Sequence, residues 1–529
     1  MAAPDPRDDV IAGLRFLTET GWRRAAALVT LGAAAAAALP PWHWAVMFIP
    51  GFAGLLIAAS TAARARDAFG AGWWFGVGHF AAGFYWVGSA FLVDAERYGF
   101  LAPFAVAGLA IGMAVFPGLA ALIANRIIRW RDVSWAGRGL VFAAAWVFAE
   151  WLRGWVLPGF PWNLAGSVWT ASPEMTQAAA YVGTYGLGRI SVAAAAGFAG
   201  LAVRSGRRAA AWPVAAGVIV VALVWGAGHL RLQSPETGSV DGVRLRLVQP
   251  NIPQHLKWKS GLRAGHVRKQ LEMSLRPPAA GPAPTHIIWA ETSVPFNLSG
   301  DPPLRNALAE AVPAGGLLIA GAPQAEGASD GSERLSNSLH ALDAGGRIVS
   351  TYAKRHLVPF GEYVPFRSIL KFSKLTAGRL DFTPGSGPKT MALPGLPPAL
   401  ALICYEVIFA AEVGDYQTRP AWLLNVTNDA WFGNSAGPHQ HLAAAQLRAA
   451  EQGLPLIRVA NTGITAVIDA YGRRRAELPL GGEGVLDTDL PKAVAPPPYA
   501  RFGDALTLLL AAVAVFVGGV MRRRELRNV

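Results

Sequence analysis

Pro398-Ala-Leu-Ala-Leu-Ile-Cys404-Tyr405-Glu406 is an apolar run that ends abruptly in the single cysteine of a 529-residue chain. It reads as a buried strand. A lone thiol cannot close an internal disulfide, so Cys404 is either an inert core residue or a reactive group. Residue type alone favours the inert reading, because free cysteine is among the most buried side chains. The surroundings pull the other way. Tyr405 and Glu406 follow directly, and upstream lie Trp289-Ala-Glu291 and Tyr352-Ala-Lys354. A strand-end cysteine with a carboxylate and an amine available elsewhere has the parts of a covalent catalyst.

Working outward, the chain does not have the composition of one soluble globule. It is 53% hydrophobic and only 15% charged, with a positive mean hydropathy. Long apolar runs fill roughly residues 25 to 230, short strand-sized pieces fill 240 to 500, and a last run covers 504–521. This pattern predicts a multi-span α-helical membrane domain over 1–235, a soluble α/β domain over 240–500 and a C-terminal transmembrane helix at 504–521. The net charge of +13 is no argument for nucleic acid. Much of it is arginine set between hydrophobic segments, and no basic stretch is interleaved with stacking aromatics. The first twenty residues carry Asp5, Asp8, Asp9 and Glu19 and lack the pattern of a removable signal peptide.

Candidate spans are 24–40, 42–60, 69–92, 102–125, 139–152, 180–203 and 210–228, with the last at 504–521. Their orientation follows from arginine, since residues 1–240 contain no lysine. Arg7, Arg15, Arg23 and Arg24 precede the first span, Arg64 and Arg66 follow the second, and Arg126, Arg129, Arg131 and Arg138 follow the fourth. Arg204, Arg207 and Arg208 follow the sixth, and Arg522, Arg523, Arg524 and Arg527 close the chain. The alternate connections carry few, chiefly Arg97, Arg153 and Arg231. Positive-inside asymmetry then puts both termini in the cytoplasm and the soluble domain outside. Two features stand out. Glu150-Trp-Leu-Arg153-Gly-Trp155 with Gly159-Phe-Pro-Trp162 reads either as an interfacial aromatic belt or as a lipid-handling loop, with Arg153 near a phosphate and Trp155 and Trp162 against acyl chain. Arg189 falls near the start of the sixth span, where a charge is expensive unless it reaches outward or faces a polar cavity.

From Gly242 the periodicity changes. Val243–Val248, Ile287–Trp289, Gly315–Gly321, Ala399–Cys404, Trp422–Thr427 and Leu456–Asn461 read as strands. Ser260–Arg276, Pro303–Val312 and Gln440–Gln452 read as helices, and Asn337–Lys354 and Ala466–Glu477 as hairpins. Strands alternating with helices predict helices covering mixed sheets. Glu291, Lys354 and Cys404 each fall at a strand end. A carboxylate can take a thiol proton during attack, and an ammonium can favour thiolate and stabilise an oxyanion. Each also has a bland alternative: a surface acid, a solvated hairpin lysine, core filler.

Trp289-Ala-Glu291, then Lys354-Arg-His-Leu-Val-Pro-Phe-Gly-Glu362-Tyr-Val-Pro365, then Leu402-Ile-Cys404-Tyr-Glu406 resembles the Glu–Lys–Cys signature of the nitrilase (carbon–nitrogen hydrolase) superfamily. More narrowly, the chain is similar to the apolipoprotein N-acyltransferase family, its membrane-bound branch. Val248-Gln-Pro-Asn-Ile-Pro-Gln254 with Trp258, the Glu150–Trp162 loop, and Asn428-Asp-Ala-Trp-Phe-Gly433 leading to Gly437-Pro-His-Gln-His441 extend the likeness over nearly the whole chain. Ala290 departs from the proline usual before the catalytic glutamate.

The resemblance implies an α-β-β-α sandwich for the soluble domain. It implies Cys404 as nucleophile, Glu291 as general base, Lys354 as oxyanion-stabilising cation, and Trp258, Glu362, Tyr405 and Glu406 as active-site support. The implied reaction moves an acyl chain from the sn-1 position of a phosphatidylethanolamine-like donor to Cys404. The chain then passes to the N-terminal amine of a diacylglyceryl-cysteine apolipoprotein. No cofactor is implied, the setting is the bacterial inner membrane with a periplasmic catalytic domain, and a monomer is expected.

Rival readings are a membrane-tethered amidase that passes its acyl group to water and a transporter or scaffold that binds lipid without chemistry. The spans show no repeated halves with interrupted helices of the transporter kind. His439-Gln-His441 lacks the accompanying ligand cluster of a metal site.

Overall fold

A computed structural model describes residues 10–203, 207–234, 238–327, 333–369, 380–387, 390–413 and 418–521. Asp5, Arg7, Asp8, Asp9, Arg204 and the terminal Arg522, Arg523, Arg524 and Arg527 lie outside the described residues, as do the side chains of Arg207 and Arg208. The chain divides into two compact units, one of Met1–Gly88, Leu101–Ser234 and Arg501–Val529, the other of Ser89–Phe100 and Pro235–Ala500.

The first unit is helical. It contains α1 (Trp22–Ala36), α2 (Phe48–Thr61), α3 (Ala65–Gly83), α4 (Ala102–Met113), α5 (Val115–Arg131), α6 (Trp135–Arg153), α7 (Ala179–Gly197), α8 (Arg207–Leu232) and a terminal helix, Asp504–Val520. The expected spans fall on these helices, the fourth on α4 and α5 together. Among the described residues, three helical stretches, Ala95–Arg131, Ala179–Ala202 and Ala211–Leu232, are long and apolar enough to cross a membrane, and Ala45–Thr61 and Asp504–Val520 are apolar but shorter. Apolar helices associate closely where small residues let their backbones meet. Here a Cβ on Gly32 of α1 would sit 2.0 Å from Phe75 O, and one on Gly78 of α3 would sit 1.9 Å from Val29 O. Polar side chains inside the unit satisfy helix ends. Asn125 donates to Ala59 O and Ala62 O at 2.8 and 3.0 Å, and Arg24 donates to Ala58 O at 2.9 Å, all at the C-terminus of α2.

The second unit is built on two six-stranded sheets. The first contains β1 (Ser239–Gln249), β2 (His286–Trp289), β3 (Leu318–Gly327), β4 (Glu333–Leu342) and β5 (Ile348–Ala353). The second contains β6 (Thr390–Leu393), β7 (Leu396–Ile403), β8 (Trp422–Thr427), β9 (Leu456–Ala460), β10 (Thr465–Ile468) and β11 (Arg474–Leu478). A last strand, β12 (Gly484–Pro491), returns to the first sheet, giving the orders β12-β1-β2-β3-β4-β5 and β11-β10-β9-β8-β7-β6. Strands β1, β2 and β3 are parallel, as are β7, β8 and β9, and the outer pairs are antiparallel.

Alternation along the strands decides the layering. Ile288 of β2 packs with Leu247, Ile319, Ala401, Ile403, Leu424 and Val459 in a core shared by the two sheets. Its neighbours Ile287 and Trp289 point the other way, into a second core with Val267, Met273 and Leu308. Those three belong to helices α9 (Arg263–Ser274) and α10 (Pro302–Ala309), which cover the first sheet. Helix α11 (Ala436–Gln452) packs on β9 of the second sheet. The result is the α-β-β-α sandwich that the resemblance implies. In parallel sheets, ligands bind beyond the carboxyl ends of the strands. Glu291 follows β2 and Cys404 follows β7 at such ends.

Candidate active site

Each of the three central side chains is held where a strand runs out. After β2 the backbone turns through Thr292 at φ 49°. Gly321 of β3 makes room for that turn, because a Cβ there would lie 2.4 Å from Thr292 N. Lys354 follows β5, anchored by a 2.8 Å bond from its N–H to Asn337 O. Cys404 follows β7 and itself adopts φ 54°, a left-handed conformation that a side chain with a Cβ enters only under constraint.

The structure brings Glu291, Lys354, Cys404 and Glu362 into one buried cluster. Lys354 Nζ lies 2.9 Å from Glu362 Oε2 and 3.6 Å from Glu291 Oε1, and the lysine is 1% exposed. Burial alone would lower the Lys354 ammonium, but Glu362, Glu291 and Cys404 outweigh it and hold it above the usual lysine range. Lys354 is therefore a fixed cation. Cys404 moves the opposite way to an activated thiolate: burial pushes it up first, Glu291 adds to this, and Lys354 only partly offsets them. The resting group is a thiol, so attack requires a base to take its proton.

Glu406 has a definite structural task. Its Oε1 accepts from the Tyr352 hydroxyl at 2.8 Å, from Arg355 N–H at 2.8 Å and from His356 N–H at 3.1 Å. Its Oε2 accepts from Ile403 N–H at 2.7 Å. One buried carboxylate thus pins the segment after Lys354 to the residue before Cys404. Tyr405 packs edge-on against Phe409 at 5.0 Å and His356 at 5.6 Å. Trp258 is half-buried under the Arg263 guanidinium, 5.7 Å from its ring.

Two members of the site carry no signal in the sequence reading. Asn337 Nδ2, on β4, donates to Glu291 Oε1 at 2.8 Å and to Glu362 Oε1 at 2.9 Å. Lys257, beside Trp258, is 3% exposed and donates to Glu291 O at 3.1 Å. Burial lowers its ammonium to about 8 against the opposing pull of Glu291 and Cys404. The only hint of either was a polar residue inside an otherwise patterned element.

Among the described residues, Cys404, Asp429 and His441 offer donor atoms within 4.8 Å of one another, the spacing of a cation site. Their chemistry does not suit one. Asp429 Oδ2 accepts from Arg458 Nη2 at 2.6 Å, and His441 Nε2 is 3.0 Å from Cys404 O. A cation would have to displace the guanidinium and take a nitrogen already engaged with a carbonyl.

A model of the Apolipoprotein N-acyltransferase N-terminal domain matches residues 31–197, and a Carbon-nitrogen hydrolase model matches residues 281–496. A Rhodopseudomonas palustris protein named Apolipoprotein N-acyltransferase is 41% identical, over 94% of this chain and 95% of its own. The chain belongs to the apolipoprotein N-acyltransferase family. Relatives of that name from Bradyrhizobium diazoefficiens and Caulobacter vibrioides are 40% and 39% identical, each over 97% of both chains. Among solved structures, XC1258 from Xanthomonas campestris, a CN-hydrolase superfamily protein, aligns with 50% of this chain and 96% of its own, at 19% identity and a TM-score of 0.35.

In this apolipoprotein N-acyltransferase family member the expected lipid-interface residues separate. Trp155 is exposed, but Arg153 and Trp162 are buried, at 2% and 3% exposure. Arg153 Nη1 donates to Phe160 O at 2.7 Å and to Trp162 O at 2.8 Å. The arginine fastens its own loop to the end of α6.

Proposed function

We propose that this chain is an acyltransferase that moves an acyl group from a phospholipid to an apolipoprotein amine through a thioester on Cys404. The observation that carries the reading is the buried Lys354 ammonium set between Glu291 and Glu362, in one cluster with a protonated Cys404. The name of the relatives supports an apolipoprotein acceptor; the phospholipid donor and the diacylglyceryl-cysteine end of the acceptor are part of this proposal.

In the first half-reaction Glu291 takes the thiol proton as Sγ attacks the sn-1 ester carbonyl, and the Lys354 ammonium offsets the charge on the oxyanion. Collapse releases the sn-1 oxygen, which leaves with the proton held by Glu291, giving lysophospholipid and acyl-Cys404. In the second half the acceptor amine attacks the thioester. Glu291 takes the surplus proton from nitrogen and returns it to the leaving sulfur, so an amide forms and the thiol is restored. Splitting ester-to-amide transfer in this way replaces one hard step by two easier ones.

The reading extends to setting and partners. Residues 1–235 and 504–521 form the membrane domain, with both termini cytoplasmic, and 240–500 is a periplasmic catalytic domain at the bacterial inner membrane. The donor is phosphatidylethanolamine-like, and the enzyme acts as a monomer. Alternating arginine-rich connections support the orientation. Incubation with acyl-labelled phospholipid and a diacylglyceryl-cysteine peptide tests the function. Label in peptide amide, lost in Cys404→Ala, is expected, whereas label appearing only as free fatty acid would make the protein a hydrolase.

A further inference from the structure

Asp429, within the stretch Asn428-Asp-Ala-Trp-Phe-Gly433, and the downstream His441 have no part in the chemistry above, yet their contacts lead to the nucleophile. They end on the backbone carbonyl of Cys404. His441, on α11, places Nε2 3.0 Å from that oxygen. A carbonyl only accepts, so Nε2 carries the hydrogen whatever the charge of the ring. Asn425, on β8, donates to the same oxygen at 3.4 Å and to Leu402 O at 3.1 Å.

Behind these two donors stands a single guanidinium. Arg458, on β9, donates through Nη2 to Asp429 Oδ2 at 2.6 Å and through Nη1 to Asn425 Oδ1. Asp429 Oδ1 stands 2.9 Å from His441 Nδ1 and accepts from the Thr427 hydroxyl at 3.0 Å. His441, Asp429, Asn425 and Arg458 are each fully buried. Such a closed, buried network has little freedom to drift. It meets the chain at a residue that needs holding, since Cys404 is a non-glycine at φ 54°.

We propose that His441 is a positioning residue for the nucleophile. Braced by Asp429 and Arg458, it grips the Cys404 carbonyl and fixes the left-handed turn that aims the thiol. This rests on Cys404 being the acyl carrier. His441 acts through the backbone of Cys404. Misplacing a reacting group by about 1 Å can cost roughly 100-fold in rate.

The test compares two polar replacements in the full-length enzyme. The amide nitrogen of Gln reaches about where Nε2 lies, whereas that of Asn stops near Nδ1. Thioester formation on Cys404 is followed by intact mass in single turnover with phosphatidylethanolamine vesicles. His441→Asn should slow it about 100-fold with donor KM changed less than about 2-fold, and His441→Gln should recover to within about 10-fold of wild type. Equal rates for the two variants, or a wild-type rate in His441→Asn, would overturn the proposal. Failure of wild type to form a thioester would instead sink the Cys404 reading.

A second measurement does not depend on activity or on a robust fold. Glycine adopts positive φ without strain. His441→Asn should therefore lower Tm, or the yield of folded protein, more in a Cys404→Ala background than in Cys404→Gly. The same loss in both backgrounds would contradict the assignment.

Discussion

Asn337 Nδ2 lies 2.8 Å from Glu291 Oε1, inside the buried cluster that contains Lys354. The same nitrogen donates to Glu362 at 2.9 Å, so one amide spaces the two carboxylates and leaves Lys354 to face both. Asn337→Asp would replace the shared donor by a third buried carboxylate. Like charges at such range raise one another's pKa and disfavour the ionised base. Transfer should fall by roughly 100-fold or more, and a general base lost in this way costs about that much. Rates of Asn337→Asp within a few-fold of wild type would show that Glu291 does not depend on this bridge.

Glu406 predicts a different phenotype. A glutamine there keeps the size but turns an N–H group toward donors, and four donors now converge on the carboxylate. Leaving buried N–H groups unpaired costs about 1–3 kcal/mol each. Glu406→Gln should lower thermal stability and, by freeing the segments before Cys404 and after Lys354, depress kcat with little change in donor KM. A stable, fully active variant would remove Glu406 from its bracing role.

Lys257 makes stability depend on pH. Burial lowers its ammonium to about 8, whereas an unfolded lysine titrates near about 10.4. Between those values the unfolded chain binds the extra proton, so the folded state gains stability as pH rises from about 8 to about 10. Denaturant midpoints of Lys257→Met should lack that rise. Relative to the variant, wild type should gain on the order of a few kcal/mol across the window. Parallel pH profiles would show that Lys257 is not held against its charge.

Arg153 separates a clamp from a headgroup ligand. Arg153→Gln loses charged donors to Phe160 O and Trp162 O, and hydrogen bonds of that kind contribute about 1.5–3 kcal/mol. Tm should drop, while donor KM and its salt dependence stay near wild type. A selective rise in KM with intact stability would restore the phosphate-binding role.

Much of this was legible in the sequence because burial leaves a period. Ile287, Ile288 and Trp289 belong to alternate cores, and β2 was readable from that run alone. Strand β12 was not. Its Asp487 is spent on Arg246, 2.7 Å away and 1% exposed, so an ion pair occupies a position that an apolar residue would have marked. Strand β6, four residues long, left too little pattern to read.

At the site, Glu291, Lys354 and Cys404 were readable as polar residues at strand ends, and the family resemblance joined them. Asn337 and Lys257 did not, because a buried polar residue inside an element looks like a solvated one until its partners are seen. Arg153 was open to two readings for the same reason. Its tryptophan neighbours suggest an interface, and only the carbonyls of Phe160 and Trp162 reveal where its charge is spent.

The most direct test is the mass of the intact protein after mixing with phosphatidylethanolamine vesicles and no acceptor. A single added acyl chain on Cys404, released by hydroxylamine and absent from Cys404→Ala, is the predicted result. An enzyme that transfers acyl chains to a diacylglyceryl-cysteine peptide yet never acquires that mass would contradict the thioester account.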